Sequence, residues 1–130
     1  MASVTDIYKA LSNDDAVSLF RSIAMGKADP ELLKSDLKLS PKQYYSRLAA
    51  LSKCYLVKKR SGKLTLTSFG KLVYDTESTI EKGLQDLVKF KVIDALELDG
   101  NLSKQESDSV MNALLQNNEI KAILGKKLTI

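Results

Sequence analysis

The stretch from Ser40 to Gly70 leaves this chain little choice of fold. Ser40-Pro41-Lys42-Gln43 reads as a helix start. Ser40 accepts a hydrogen bond from an amide of the first turn, Pro41 suits the first helical position, and the Gln43 side chain reaches back to the Ser40 amide. The helix it opens runs from about Pro41 to Cys54. At about 100° per residue, Tyr44, Leu48 and Leu51 form one stripe that must face the core. The opposite face carries Lys42, Ser46, Ala49, Ala50 and Lys53, basic at its ends and small in its middle. Tyr55-Leu56-Val57-Lys58-Lys59-Arg60 is then β-prone, Ser61-Gly62 is a two-residue turn signal, and Lys63-Leu64-Thr65-Leu66-Thr67 alternates with the period of a strand. Thr67 or Ser68 caps a further helix containing Phe69, Leu72, Val73, Thr76 and Ile80.

Upstream, Ile7, Leu11, Val17, Phe20, Ile23 and Ala24 recur at helical spacing. Ser12, followed by Asp15, is the expected N-cap within this unit, and Gly26 the expected stop. Asp29-Pro30 starts a second, short helix, Glu31 to Leu37, with Leu32, Leu33 and Leu37 as its apolar positions. Two short helices separated by a tight connection, the second starting at Pro41, form a helix-turn-helix pattern, and the hairpin after it is a wing.

Charge is segregated along the same boundaries. Residues 1–40 hold five Lys/Arg and six Asp/Glu, and residues 73–130 hold seven and ten. Residues 41–72 hold eight basic residues (Lys42, Arg47, Lys53, Lys58, Lys59, Arg60, Lys63, Lys71) and no acid. An acid-free block of this length is a local positive field suited to a polyanion, most commonly a phosphate backbone.

The span Ser40-Pro-Lys-Gln-Tyr-Tyr-Ser-Arg-Leu-Ala-Ala-Leu through Tyr55-Leu-Val-Lys-Lys-Arg-Ser-Gly-Lys-Leu-Thr-Leu-Thr-Ser-Phe-Gly70 resembles the recognition helix and wing of small ArsR-like and MarR-like winged helix-turn-helix transcription regulators, particularly archaeal ones. The shared pattern is a Leu-x-x-Leu helix end (Leu48, Leu51), Leu56-Val57 leading into the strand, Gly62 at the wing tip and the exit Leu66-Thr67-Ser68-Phe69-Gly70. The resemblance covers about residues 3–82. Two departures stand out. The Cys and His clusters of metal-sensing members are missing, and Tyr55 occupies the position of a small residue. The resemblance implies a mostly α fold with a small β-hairpin wing, followed here by a C-terminal helical extension. It also implies sequence-specific binding of double-stranded DNA in transcription regulation.

Within that frame Lys42, Gln43, Ser46 and Arg47 are the candidates for groove contact. Gln43 suits adenine and Arg47 guanine, and both suit phosphate equally. Gln43 is claimed as strongly by its capping role. Lys53, Lys58, Lys59, Arg60 and Lys63 are the candidates for phosphate contact, each individually as well explained by solubility, but together favouring nucleic acid. Tyr44 is expected in the core, and Tyr45 at its boundary, with a phosphate contact as the lesser reading. Cys54 is expected as a buried small residue rather than a redox thiol activated by Lys53. Asp14 with Asp15, and Asp99 with Glu97, read as acidic helix ends rather than cation sites.

From Ile80 onward Leu84, Leu87, Val88, Phe90, Ile93, Leu96 and Leu98 continue a helical stretch weakened at Gly83 and broken at Asp99-Gly100-Asn101. Ser103 with Glu106 opens a helix with Val110, Leu114 and Leu115, and Asn117-Asn118 interrupts it before Ile120, Ile123 and Leu124. The expected organisation is a DNA-binding domain over 1–82 and a helical extension over 83–130. The surplus apolar positions of the extension (Leu84, Leu87, Phe90, Ile93, Leu114, Ile123) could fold back, hold a small ligand or join two copies. A homodimer is the expected outcome.

Composition narrows the alternatives. With no His, no Trp and Cys54 as the sole cysteine among 130 residues, His-based metal sites, Ser-His-Asp and Cys-His catalytic pairs and intrachain disulfides are excluded. No Gly-rich phosphate loop or carboxylate pair at catalytic spacing occurs, so neither an enzyme nor a cofactor is expected. Met1 to Ala10 includes Asp6 and lacks a long apolar run, which argues against a secretory signal. No stretch approaches the roughly 18 apolar residues of a membrane span, and a reduced, cytoplasmic setting is expected. The alternative function is a winged helix acting as a protein-interaction module within a transcription or other nucleic-acid assembly; the acid-free block speaks against it.

Overall fold

The computed structural model describes residues 2–98, except the Leu98 side chain, and 100–125. Asp99, part of the expected helix break and of the Asp99–Glu97 pair, lies outside the described residues. Among the described residues the protein is mostly helical, with one two-stranded antiparallel hairpin. Two compact units divide between Thr76 and Glu77. That division and the expected boundary after Lys82 both fall within one helix, α5 (Ser68–Gln85). Among the described residues no helix is long and apolar enough to cross a membrane.

The first unit contains α1 (Val4–Ala10), α2 (Asp14–Ala24), α3 (Pro30–Asp36), α4 (Pro41–Lys53), β1 (Val57–Arg60), β2 (Lys63–Leu66) and the start of α5. The expected N-cap at Ser12 is corrected to Asn13. Asn13 Oδ1 accepts from Ala16 N at 2.8 Å, while the Ser12 hydroxyl donates backward to the Lys9 carbonyl, 2.7 Å away. Ser12 therefore closes α1, and its neighbour opens α2. A capping box between Ser3 and Asp6 starts α1, a signal the apolar periodicity did not include. Asp29 and Pro30 start α3 as expected.

α2, α3 and α4 each end with a residue in left-handed conformation: Gly26 (φ 90°), Lys38 (φ 54°) and Tyr55 (φ 59°). At each end two amides turn back onto the last-turn carbonyls. After α4, Leu56 N donates to Leu51 O (3.0 Å) and Tyr55 N to Ser52 O (3.0 Å). These paired bonds satisfy carbonyls that a helix end otherwise leaves orphaned. They also turn the chain sharply, from α3 into α4 and from α4 into β1.

The core of this unit is built on Leu19 and Phe20 of α2, Leu33 of α3, and Tyr44 and Leu51 of α4, all at most 1% exposed, with Leu56 and the inward residues of the hairpin. α2 packs against α4 and β2, and α1 against α4. Burying each such side chain is worth about 1.5–3 kcal/mol, so the stripe Tyr44, Leu48, Leu51 fixes which side of α4 faces out.

The second unit contains the rest of α5, α6 (Leu87–Leu98), α7 (Lys104–Leu114) and α8 (Asn118–Leu124). The stretch expected to be one helix weakened at Gly83 is divided at Asp86, between α5 and α6. Gly83 stays within α5, where a β-carbon would lie 3.6 Å from the Phe90 ring. The Ser103–Glu106 capping box opens α7, and Asn117 caps α8. Ile93, Leu115 and Ile120 form a small core with Phe90, Met111 and Leu114 packed against it. The expectation that six surplus apolar residues all need a partner is corrected accordingly. Phe90, Ile93 and Leu114 are covered within the unit, whereas Leu84, Leu87 and Ile123 remain 47–60% exposed.

Candidate nucleic-acid interface

α4 is held at its start by the expected reciprocal cap: Gln43 N donates to Ser40 Oγ (3.1 Å) and Ser40 N to Gln43 Oε1 (3.0 Å). Lys34 of α3 fixes its flank. The Lys34 ammonium lies 5.3 Å from the Tyr44 ring centre and 5.1 Å from that of Tyr45, and pairs with Glu31 at 3.0 Å. Cation–π contacts of this length tie the short helix to the long one. The Glu31 hydrogen bond is the main reason the Lys34 pKa is raised.

With Tyr44, Leu48 and Leu51 buried, the outward face of α4 presents Lys42, Ser46, Ala49 and Lys53, all exposed. Ala50, expected on this face, is half-buried and packs against the core. Tyr45 is exposed, its ring edge-on to Tyr44 at 5.1 Å. Gln43 is exposed, but its side-chain oxygen is engaged in the cap. Arg47 is half-buried, and its Nε is buried without a hydrogen-bond partner among the described residues. That leaves less of its guanidinium available than of the neighbouring Lys42.

The hairpin closes through Ser61 (φ 54°) and Gly62 (φ 77°), the two positive φ values of a type I′ turn. The register pairs Val57 with Leu66, Lys58 with Thr65, Lys59 with Leu64 and Arg60 with Lys63. Directly paired residues share a face. Val57, Leu64 and Leu66 are buried, so Lys58, Arg60 and Lys63 share the outer face, whereas Lys59 lies on the inner one beside Leu64. All four basic side chains are exposed. Lys71 of the acid-free block, at the start of α5, is exposed as well.

The hairpin is joined to α5 through Thr67, the buried polar side chain of this unit (1% exposed). Its hydroxyl donates to the Tyr55 carbonyl and accepts from Gly70 N at 2.8 Å, capping α5. Thr67 N also donates to Leu56 O at 3.1 Å. One residue thus locks the end of α4, the root of the hairpin and the start of α5 together.

Cys54 caps α4 and is 6% exposed; its thiol donates to the Asp6 carbonyl at 3.5 Å. Burial, then the Asp6 carboxylate, push its pKa up, against a weaker opposite pull from Lys53. That is the reverse of an activated redox thiol. Asp14 and Asp15 lie in the first turn of α2, where acids complement the helix dipole. The Asp6 carboxyl has a lowered pKa, held down first by its hydrogen bonds from Ser3 and then by Lys9 and Lys53. Sequence reasoning had not connected α1 to Lys53. Only the packing of α1 on α4 brings Asp6 and Lys9 to that lysine. No family model, curated protein or solved structure matches the chain.

Proposed function

We propose that the first unit is a winged helix domain that binds double-stranded DNA, with α4 in the major groove and the β1–β2 hairpin on the backbone, and that the protein regulates transcription. The observation that carries this reading is how the acid-free block is divided. Tyr44, Leu48, Leu51, Leu56, Val57, Leu64 and Leu66 enter the core, while Lys42 and Lys53 remain on the outward face of α4 and Lys58, Arg60 and Lys63 on the outer face of the hairpin. Ser46 and Ala49 between the two lysines are small and exposed, so nothing on that face keeps the helix from base edges. The element order agrees with a winged helix, as does a hydrogen bond from Leu64 N to Ala28 O in the loop before α3 (3.5 Å). It ties the hairpin to the entry of α3.

The reading includes a homodimer formed through the second unit, where Leu84 and Leu87, with Val88 at 74% exposure, lack cover. Two recognition helices related by two-fold symmetry reach half-sites about 34–36 Å apart, one turn of DNA. Selection of duplexes from a random pool tests both parts. A recovered consensus of two inverted half-sites at that spacing supports them. A single half-site removes the dimer, and a pool that stays random after selection removes sequence-specific recognition.

A further inference from the structure

The outward face of α4 offers little that tells one base from another by hydrogen bonds. Lys42 and Lys53 stand at its two ends, about 16 Å apart at the rise of an α-helix, which exceeds the roughly 12 Å width of the major groove. The two ammonium groups therefore meet the phosphates that border the groove, and the residues between them face the bases. Reading guanine or adenine there takes paired polar groups, from an Arg for the first and an Asn or Gln for the second. Both such residues of α4 are withdrawn. Gln43 has its side-chain oxygen engaged by the Ser40 amide at 3.0 Å, so it does not also accept from adenine. Arg47 is half-buried, with its Nε enclosed.

Apart from Gln43, the residues exposed between the lysines are Tyr45, Ser46, Ala49 and Ser52. A serine hydroxyl both donates and accepts, and so suits every base edge. Tyr45 and Ala49 are four residues apart and lie one above the other on the helix. The Tyr45 ring is fixed there, edge-on to Tyr44 and 5.1 Å from the Lys34 ammonium, yet it remains 56% exposed. A fixed aromatic ring beside a bare methyl group is an apolar step on an otherwise polar face. Its complement in the major groove is the apolar group that the bases present there, the C5-methyl of thymine.

We infer that α4 recognises pyrimidine 5-methyl groups, which pack against the Tyr45 ring and the Ala49 methyl. The inference rests on the DNA-binding reading and names what that reading leaves open, the feature of the bases that α4 distinguishes. Thymine carries this methyl, and 5-methylcytosine carries it at the same ring position on the same groove edge. The two bases are therefore equivalent at this contact, and unmodified cytosine is disfavoured.

The test is fluorescence anisotropy of the full chain with one mixed-sequence duplex in four versions: unmodified, with uracil for every thymine, with 5-methylcytosine for every cytosine, and with both changes. All four carry the same phosphates, so the salt-dependent part of binding is common to them. Uracil should weaken binding about tenfold, the loss of two buried methyl contacts. 5-Methylcytosine should tighten it, and the doubly changed duplex should regain most of the affinity lost to uracil. Ala49 is exposed, so Ala49→Ser leaves the core alone. That variant should bind the uracil duplex as the wild type does and lose most of the difference between thymine and uracil. Equal, salt-dependent affinity for all four versions overturns the inference and leaves the DNA-binding reading standing. So does a uracil loss that 5-methylcytosine does not restore, or a methyl effect that Ala49→Ser keeps in full. Absence of binding to every version at about 50 mM salt overturns both.

Discussion

Gly70 faces the Leu56 carbonyl so closely that a β-carbon at residue 70 would overlap the carbonyl oxygen and lie 2.9 Å from the carbonyl carbon. The same carbonyl accepts from Thr67 N. α5 therefore begins in direct backbone contact with the root of the hairpin. The angle between α4, the hairpin and α5 depends on residue 70 having no side chain.

Gly70→Ala should consequently destabilise the first unit by about 3 kcal/mol, because the obstacle is backbone, which cannot swing aside as a side chain can. All five tyrosines (Tyr8, Tyr44, Tyr45, Tyr55, Tyr74) belong to that unit, so urea unfolding followed by tyrosine fluorescence reports on it separately. An unchanged midpoint would show that the contact yields.

Tyr55 presents the opposite case. It adopts φ 59° with its ring 63% exposed, in a conformation that costs a side-chain-bearing residue roughly 1–2 kcal/mol. Tyr55→Gly removes that cost, gives up little buried surface and adds some entropy to the unfolded chain. The net expectation is a gain of about 1 kcal/mol. A loss of stability in the same fluorescence assay would mean that the ring packs more than its exposure indicates.

The hairpin register separates adjacent lysines and arginines that the sequence presents as one basic run. Arg60→Ala with Lys63→Ala removes two outer-face cations and should lower the slope of log affinity against log salt by about 0.9 per lost phosphate contact. Lys59→Ala, on the inner face, should change it much less. Equal effects per residue would show that the hairpin meets the duplex by its tip rather than by its outer face.

The raised pKa of Cys54 sets a sign for stability against pH. An unfolded cysteine loses its proton near about pH 8.5, while the folded thiol holds it longer. The stabilisation from this group is therefore complete below that pH and is lost as pH rises through the folded value. The stability difference between wild type and Cys54→Ala should be constant from pH 6 to about 8 and shift against the wild type near pH 10. A difference that moves in favour of the wild type on raising the pH contradicts the burial account.

What was legible in the sequence was mostly local. Ser40 with Gln43, Asp29 with Pro30, and Ser103 with Glu106 sit within one helical turn of each other and need no partner element to act, so they were readable without the fold. Ser12 and Asn13 are nearly equivalent as caps, and the choice between them came from the Lys9 carbonyl, the end of a helix that periodicity had merged with the next. The break at Asp86 was hidden because Gly83 is the weaker helix former, yet Gly83 stays helical and the chain turns three residues later. At the site, exposure of the lysines followed from the core stripe of α4. The half-burial of Arg47 and Ala50, the inward face of Lys59 and the meeting of Asp6, Lys9 and Lys53 depend on tertiary packing, which no short window contains.

In the proposed complex the outward face of α4 and the outer face of the hairpin grip a phosphate backbone. Fluorescence anisotropy of a labelled mixed-sequence duplex, titrated with the protein at about 50 mM and about 200 mM salt, tests it most directly. Four phosphate contacts from Lys53, Lys58, Arg60 and Lys63 predict an affinity about a hundredfold lower at the higher salt, because each neutralised phosphate releases counterions. Absence of binding at the lower salt, or an affinity that salt does not move, contradicts the account.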